Sequence, residues 1–162
     1  MKTIERSIDV EVPASTAYAT WTQFELFPRF MPDVEAVEQK DDRHLRWRAR
    51  VWGAGEEWDA EITGQIPDKR IAWNSQGGAY NAGVVTFHRL SDDRSCVMLQ
   101  LAYEPETWGE KIGDALGLFT RSIEADLAGF KEFVENEGEK VAGWRGRVPS
   151  KEDAAGASHG PR

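Results

Sequence analysis

Between Leu45 and Ile62 the chain carries two stretches whose patterns admit one kind of local structure. Leu45-Arg46-Trp47-Arg48-Ala49-Arg50-Val51 alternates apolar and basic residues, and Glu57-Trp58-Asp59-Ala60-Glu61-Ile62 alternates acidic and apolar ones. Alternation of period two sends successive side chains to opposite faces of a strand, so each stretch is a strand with one wet and one dry face. With Trp52-Gly53-Ala54-Gly55 as the turn, Arg50 faces Glu57, Arg48 faces Asp59 and Arg46 faces Glu61 on the outer side. The inner side then sets Ala49 against Trp58, Trp47 against Ala60 and Leu45 against Ile62. A one-residue slip would bury the charges and expose the tryptophans, so register is strongly constrained. The aromatic side must be covered by something else in the chain.

The flanking segments suggest what covers it. Ile4, Ile8, Val10 and Val12 mark a first strand that runs into Pro13. From Ser15 the spacing turns helical through Tyr18 and Trp21, then Phe24, Phe27 and Phe30, but Pro28 and Pro32 break this into two short helices or a helix and a turn. Strands are expected over Val34 to Gln39, Ile71 to Ser75, Gly83 to Leu90 and Cys96 to Tyr103, with turns at Asp41-Asp42, Gly64 to Lys69, Gln76-Gly77-Gly78 and Asp92-Asp93. Beyond Tyr103 the period changes. Thr107 and Glu110 have capping-box spacing, and Ile112, Leu116, Phe119, Ile123, Leu127, Phe130 and Val134 follow at steps of three and four. A long helix with that apolar stripe, and with Arg121, Glu124, Lys131 and Glu135 on its wet side, is the element that can bury the dry face of the sheet. From Gly138 the pattern dissolves, giving a domain over 1–137 and a mostly flexible C-terminal tail over 138–162, in which Trp144 either folds back or stays exposed.

Composition narrows the functional classes. A chain of 162 residues fits one domain with a real core. Seven Trp and seven Phe against three Tyr are a heavy aromatic load, which serves either core filling or the lining of a cavity. A net charge of −8 with no basic stripe argues against nucleic acid and acidic membrane surfaces as partners. Lys2 to Arg6 precede no apolar run, so no signal peptide and no stable membrane insertion are expected. The single Cys96 excludes an intramolecular disulfide, fits a cytoplasmic setting, and is expected to be a half-buried thiol rather than a nucleophile. His44, His88 and His159 lack ligand spacing, so no metal is expected, and no phosphate-cradling loop or other cofactor motif occurs.

The element order and several local phrases carry a resemblance. The phrases are Val12-Pro13-Ala14-Ser15-Thr16-Ala17-Tyr18, Phe27-Pro28-Arg29-Phe30-Met31-Pro32 and Glu57-Trp58-Asp59-Ala60-Glu61-Ile62. Further on come Arg70-Ile71-Ala72-Trp73, Asn81-Ala82-Gly83-Val84-Val85-Thr86-Phe87 and Asp126-Leu127-Ala128-Gly129-Phe130-Lys131. Over about residues 3–137 the chain resembles the START-like (SRPBCC) superfamily, in particular its polyketide cyclase/dehydrase and coenzyme Q-binding branch. The resemblance implies an α+β helix-grip fold: a curved antiparallel sheet of about seven strands wrapped around a long C-terminal helix, with two short helices after the first strand. It also implies a cavity between sheet and helix. Gly109, Gly113 and Gly117 recur on one helix face, each costing about 1 kcal/mol against Ala, and they either make room for a ligand or allow close helix-to-sheet packing.

On that topology the ligand-binding candidates are Trp47, Trp58, Trp73, Ser75, Asn81, Phe87, Leu101, Tyr103, Gly113, Leu116 and Gly117. The polar ones, Ser75, Asn81 and Tyr103, either orient a ligand or make ordinary core hydrogen bonds. Catalytic candidates are Tyr103, Asn81 and Arg29, with Arg29 either pairing with an acidic ligand or lying over apolar neighbours at the surface. The leading expectation is binding of a hydrophobic small molecule, such as a polyketide, quinone or lipid-like compound. One alternative is an aromatase/cyclase- or dehydrase-type enzyme using the same cavity. The other is a protein-interaction module with an incidental cavity, for which outward Trp52 and Trp108 are the sequence hints.

Overall fold

The computed structural model describes residues 2–51, 54–108, 115–140 and 146–149, the side chains of 51, 54, 105, 108, 115–119 and 140 excepted. Strand β1 (Lys2–Val10) leads through Pro13 into helix α1 (Ala14–Trp21) and a 3-10 turn (Phe24–Arg29). Six strands follow: β2 (Val34–Gln39), β3 (His44–Val51), β4 (Ala54–Ile66), β5 (Arg70–Gly78), β6 (Asn81–Ser91) and β7 (Arg94–Tyr103). A second 3-10 turn (Pro105–Trp108) precedes helix α2 (Ala115–Glu137). The seven strands form one antiparallel sheet in the order β1-β7-β6-β5-β4-β3-β2, so every hairpin neighbour is also a sheet neighbour and β1 closes on β7. Bulges in β2 and at Asp59/Ala60 and Ile62/Gly64 in β4 bend the sheet, whose concave face takes α2. This is the expected helix-grip arrangement.

Alternation governs which side chains meet α2. Ala60, Ile62, Val85, Phe87, Val97, Leu99, Leu101 and Tyr103 are all buried, while His88 next to Phe87 is exposed. From α2, Leu127, Phe130 and Val134 enter the core at steps of three and four, and Arg121, Glu124 and Glu135 stay in water. The core is largely aromatic where α1 and α2 meet. Trp21 meets Phe130 at 4.9 Å and Phe27 at 5.4 Å between ring centroids, both edge-on. Gly129 lets α2 sit directly on the chain before β2: a Cβ there would lie 1.9 Å from the Phe30 carbonyl oxygen.

Several expectations need correction. The β3–β4 hairpin pairs Trp47 with Trp58, Arg48 with Glu57 and Arg46 with Asp59, two residues away from the expected register. Val51 pairs with Ala54, so the turn has two residues rather than four, the commonest hairpin length. A two-residue shift keeps each side chain on its expected face. The charges therefore still pair, Arg46 reaching Glu57 at 3.2 Å and Asp59 at 3.1 Å, but the inner face stacks tryptophan on tryptophan instead of alternating large with small. The two short segments after β1 are as expected, an α-helix and then, with Pro28 inside it, a 3-10 turn. β5 continues through Gly78, so Gln76-Gly77-Gly78 is strand rather than turn. Thr107 sits in a 3-10 turn, accepting from the Tyr80 N–H at 2.7 Å and donating to the Glu104 carbonyl at 2.8 Å, so it ties that turn to the β5–β6 loop. Glu110 lies outside the described residues. Beyond α2, two described residues meet the domain. Gly138 is buried, and Val148, also buried, forms an antiparallel bridge with Gln65 through hydrogen bonds of 2.7 and 2.9 Å.

Candidate ligand-binding site

Between the concave face and α2 lies a cavity of about 140 Å³. Its sheet wall is built from inward positions of consecutive strands: Leu45, Trp47 and Ala49 from β3, Trp58 and Ile62 from β4, Ile71 and Trp73 from β5, Asn81 from β6, Leu99 and Leu101 from β7. Trp21, Phe24, Phe27 and Met31 close one end, and Ile123 and Leu127 of α2 form the roof. Trp47 and Trp58 are parallel, 5.7 Å apart with 7° between planes, and Phe27 leans on Trp47 at 5.6 Å. Such a wall offers flat polarizable surface and few donors.

Trp73 is held in place from two sides. Its indole N–H donates to Asn81 Oδ1 at 2.9 Å, and Gly83 opposite has no side chain to collide with the ring, since a Cβ there would lie 2.9 Å from it. Asn81 in turn donates through its backbone N–H to Ser75 Oγ at 3.1 Å. Asn81 thus lies in the cavity wall with its side-chain oxygen engaged by Trp73, and Ser75 stands behind it rather than in the wall.

The polar end of the cavity is elsewhere. Asp33, in the loop before β2, and Ser122 and Asp126, one turn apart on α2, line it together. The Ser122 hydroxyl donates to Asp33 Oδ2 at 2.5 Å. Asp126 Oδ1 is buried and meets no hydrogen-bond donor among the described residues. Burial first, and the nearby negative charge of Asp33 second, push the Asp126 carboxyl up to about 7. The contact of Gly129 with the Phe30 carbonyl sets this geometry, because it holds α2 against the loop that carries Asp33.

These structural features and the sequence place the chain among known proteins. The profile described as polyketide cyclase / dehydrase and lipid transport matches residues 10–132. The chain belongs to this polyketide cyclase/dehydrase family. A protein from Streptomyces lincolnensis, an uncharacterized 17.2 kDa protein in the melC2-rnhH intergenic region, is 52% identical over 149 residues, 91% of this chain and 99% of that protein. Among solved structures, a Deinococcus radiodurans protein superposes with a TM-score of 0.64 at 27% identity, over 83% of this chain and 98% of that one. A START superfamily protein of Mycobacterium smegmatis gives 0.65 at 14% identity, over 85% and 97% of the two chains. The Zhui aromatase/cyclase of Streptomyces sp. R1128 gives 0.64 at 15% identity, over 86% and 94%. The last two likenesses concern the fold. No helix among the described residues of this cyclase/dehydrase family member is long and apolar enough to cross a membrane.

Of the residues singled out from the sequence, Trp47, Trp58, Trp73, Asn81 and Leu101 line the cavity. Phe87 packs behind it, against Tyr18 and Trp21, and Tyr103 is buried in the core outside the lining. Arg29 is exposed on the outer side of the 3-10 turn, its guanidinium 5.3 Å from the Phe133 ring, and does not reach the cavity. Gly113 lies outside the described residues, as do Trp52, Trp144 and His159, the Trp108 side chain, and the part of α2 around Leu116 and Gly117 as regards side chains. Asp33, Ser122 and Asp126 were not singled out. The available signal was the spacing of Ser122, Asp126 and Gly129 along one flank of the apolar stripe, where small and polar residues interrupt an otherwise charged surface.

Proposed function

We propose that the protein binds a hydrophobic small molecule in the cavity between sheet and α2, with an aromatic ring lying along the Trp47–Trp58 wall. The observation that carries this reading is the aromatic-lined space between sheet and helix itself, since close-packed proteins seldom leave gaps of this size between their elements. An engineered apolar cavity of about 150 Å³ takes up benzene, so a space of about 140 Å³ suits one ring of a larger polyketide, quinone or lipid-like ligand. Membership of a family described by polyketide cyclase/dehydrase and lipid transport supports the same ligand class. A second reading, a cyclase- or dehydrase-type enzyme, is favoured by one observation. Asp126 titrates at about 7 beside a second acid, which suits a group that gives up and regains a proton near neutrality.

Titration with toluene, followed by NMR at the indole N–H of Trp73, tests the binding reading. Saturable shifts in the wild type that vanish in Ala49→Leu, which fills the cavity from β3, are expected. Absence of shifts, or equal shifts in the filled variant, would remove the cavity as the site.

A further inference from the structure

The cavity has a sign. Its described lining includes two acids, Asp33 and Asp126, and no lysine, arginine or histidine. The strands, α1 and the first 3-10 turn contribute only uncharged groups to it, so among the described residues these two carboxyls, one from the loop before β2 and one from α2, are the titratable groups that face the space. They are not equivalent. Asp33 is already served by the Ser122 hydroxyl, whereas Asp126 presents a buried oxygen with no donor among the described residues. A buried acceptor without a donor is costly, and its place in the wall of a ligand-sized cavity leaves a bound molecule as the donor.

We propose that Asp126 selects the ligand: the cavity accepts an aromatic molecule that presents a hydroxyl or ammonium donor to Asp126 and rejects carboxylates of the same shape. This rests on the reading of the cavity as a ligand site and names the chemistry of what enters it. A carboxylate would bring a third acid into a space already holding two, where no cation among the described wall residues offsets it, and like-charge contact in a desolvated site is strongly disfavoured. A donor instead satisfies Asp126 Oδ1 while its ring covers the tryptophans. The same argument disfavours fatty acids and other anionic lipids as ligands. Because Asp126 titrates at about 7, an ammonium ligand should gain affinity as pH rises through neutrality, while an uncharged hydrocarbon of the same size should not respond.

The test uses four molecules with one ring and one carbon branch: toluene, benzyl alcohol, benzylammonium and benzoate. Each is titrated into the full-length protein at pH 6 and pH 8, with tryptophan indole shifts as the readout. Benzyl alcohol is expected to bind about tenfold more tightly than toluene, the worth of one hydrogen bond to a buried carboxyl. Benzoate is expected to be on the order of 100-fold weaker than benzyl alcohol at pH 8. Benzylammonium should tighten between pH 6 and pH 8. In Asp126→Asn its pH response should disappear and the penalty on benzoate should shrink. Toluene binding with benzoate bound as well as benzyl alcohol would overturn the selection and leave the cavity reading standing. No binding of any of the four, toluene included, would overturn both. A benzylammonium affinity independent of pH in the wild type would overturn the role of Asp126 without recourse to any variant.

Discussion

Replacing Asp126 with asparagine should stabilise this protein, and the gain should depend on pH. The folded-state value near 7 stands about three units above the ordinary 3.8 for an aspartate. Between about pH 4 and pH 7 the unfolded chain has lost the Asp126 proton while the folded chain still holds it. Stability therefore falls as pH rises through that window, by up to about 1.4 kcal/mol per unit, and levels off above it. Three units correspond to a ceiling of about 4 kcal/mol at pH 8, lowered in practice because the side chain keeps some contact with water. Asparagine preserves the shape and removes the ionisation. Urea unfolding of wild type and Asp126→Asn from pH 4 to pH 8.5 should show curves that converge at the acid end and separate towards neutrality, the variant being more stable. Subtraction cancels the titration of every other carboxylate. Asp33→Asn provides the companion measurement. It removes the smaller of the two causes, so the Asp126 midpoint should fall part of the way and stay above the ordinary value, because burial is the larger cause. A separation independent of pH, or a wild type that gains stability from pH 4 to pH 7 relative to Asp126→Asn, would refute the account of a buried, proton-retaining acid.

Two further outcomes follow from the packing. A double-mutant cycle on Trp47→Ala and Trp58→Ala, read by chemical denaturation, should return a coupling of about 1 kcal/mol, as expected for rings stacked 5.7 Å apart; independent effects would contradict the direct pairing of these two positions. Val148→Asp should cost about 2 kcal/mol and expose the Gln65 N–H to hydrogen exchange, whereas an unchanged exchange rate there would mean the segment around Val148 contributes nothing to the domain.

Much of the architecture was legible because it follows from period. The alternation in β3 and β4 assigned inward and outward faces that burial bears out, and the same period sets Phe87 inside and His88 outside in β6. The apolar stripe through Leu127, Phe130 and Val134 identified the helix that the sheet grips. Register was less legible. Two hairpins that differ by two residues place the same side chains on the same faces, so patterning alone does not separate them. Turn length decided between them, at Val51 and Ala54.

The polar end of the cavity left only a faint trace in the sequence, the spacing of Ser122, Asp126 and Gly129, and the reason is physical. Asp33 lies in a loop without periodicity, and Ser122 and Asp126 lie on a helix about ninety residues later; nothing local connects them. They meet because Gly129 allows α2 to press against the Phe30 carbonyl, a contact between distant segments. Of the polar residues that alternation did point to, Ser75 accepts from the Asn81 N–H and Asn81 Oδ1 from the Trp73 indole, so these two brace the aromatic wall, while Tyr103 is buried in the core. What the sequence by itself determined is the pattern of faces: which strands exist, which sides are dry, and which helix must cover them, since each depends on neighbours a few residues apart. What only the tertiary structure decided is where two carboxyls from distant segments come together and lose water, and with that the charge and proton affinity of the cavity, because desolvation is a property of everything packed around a group and not of its place in the chain.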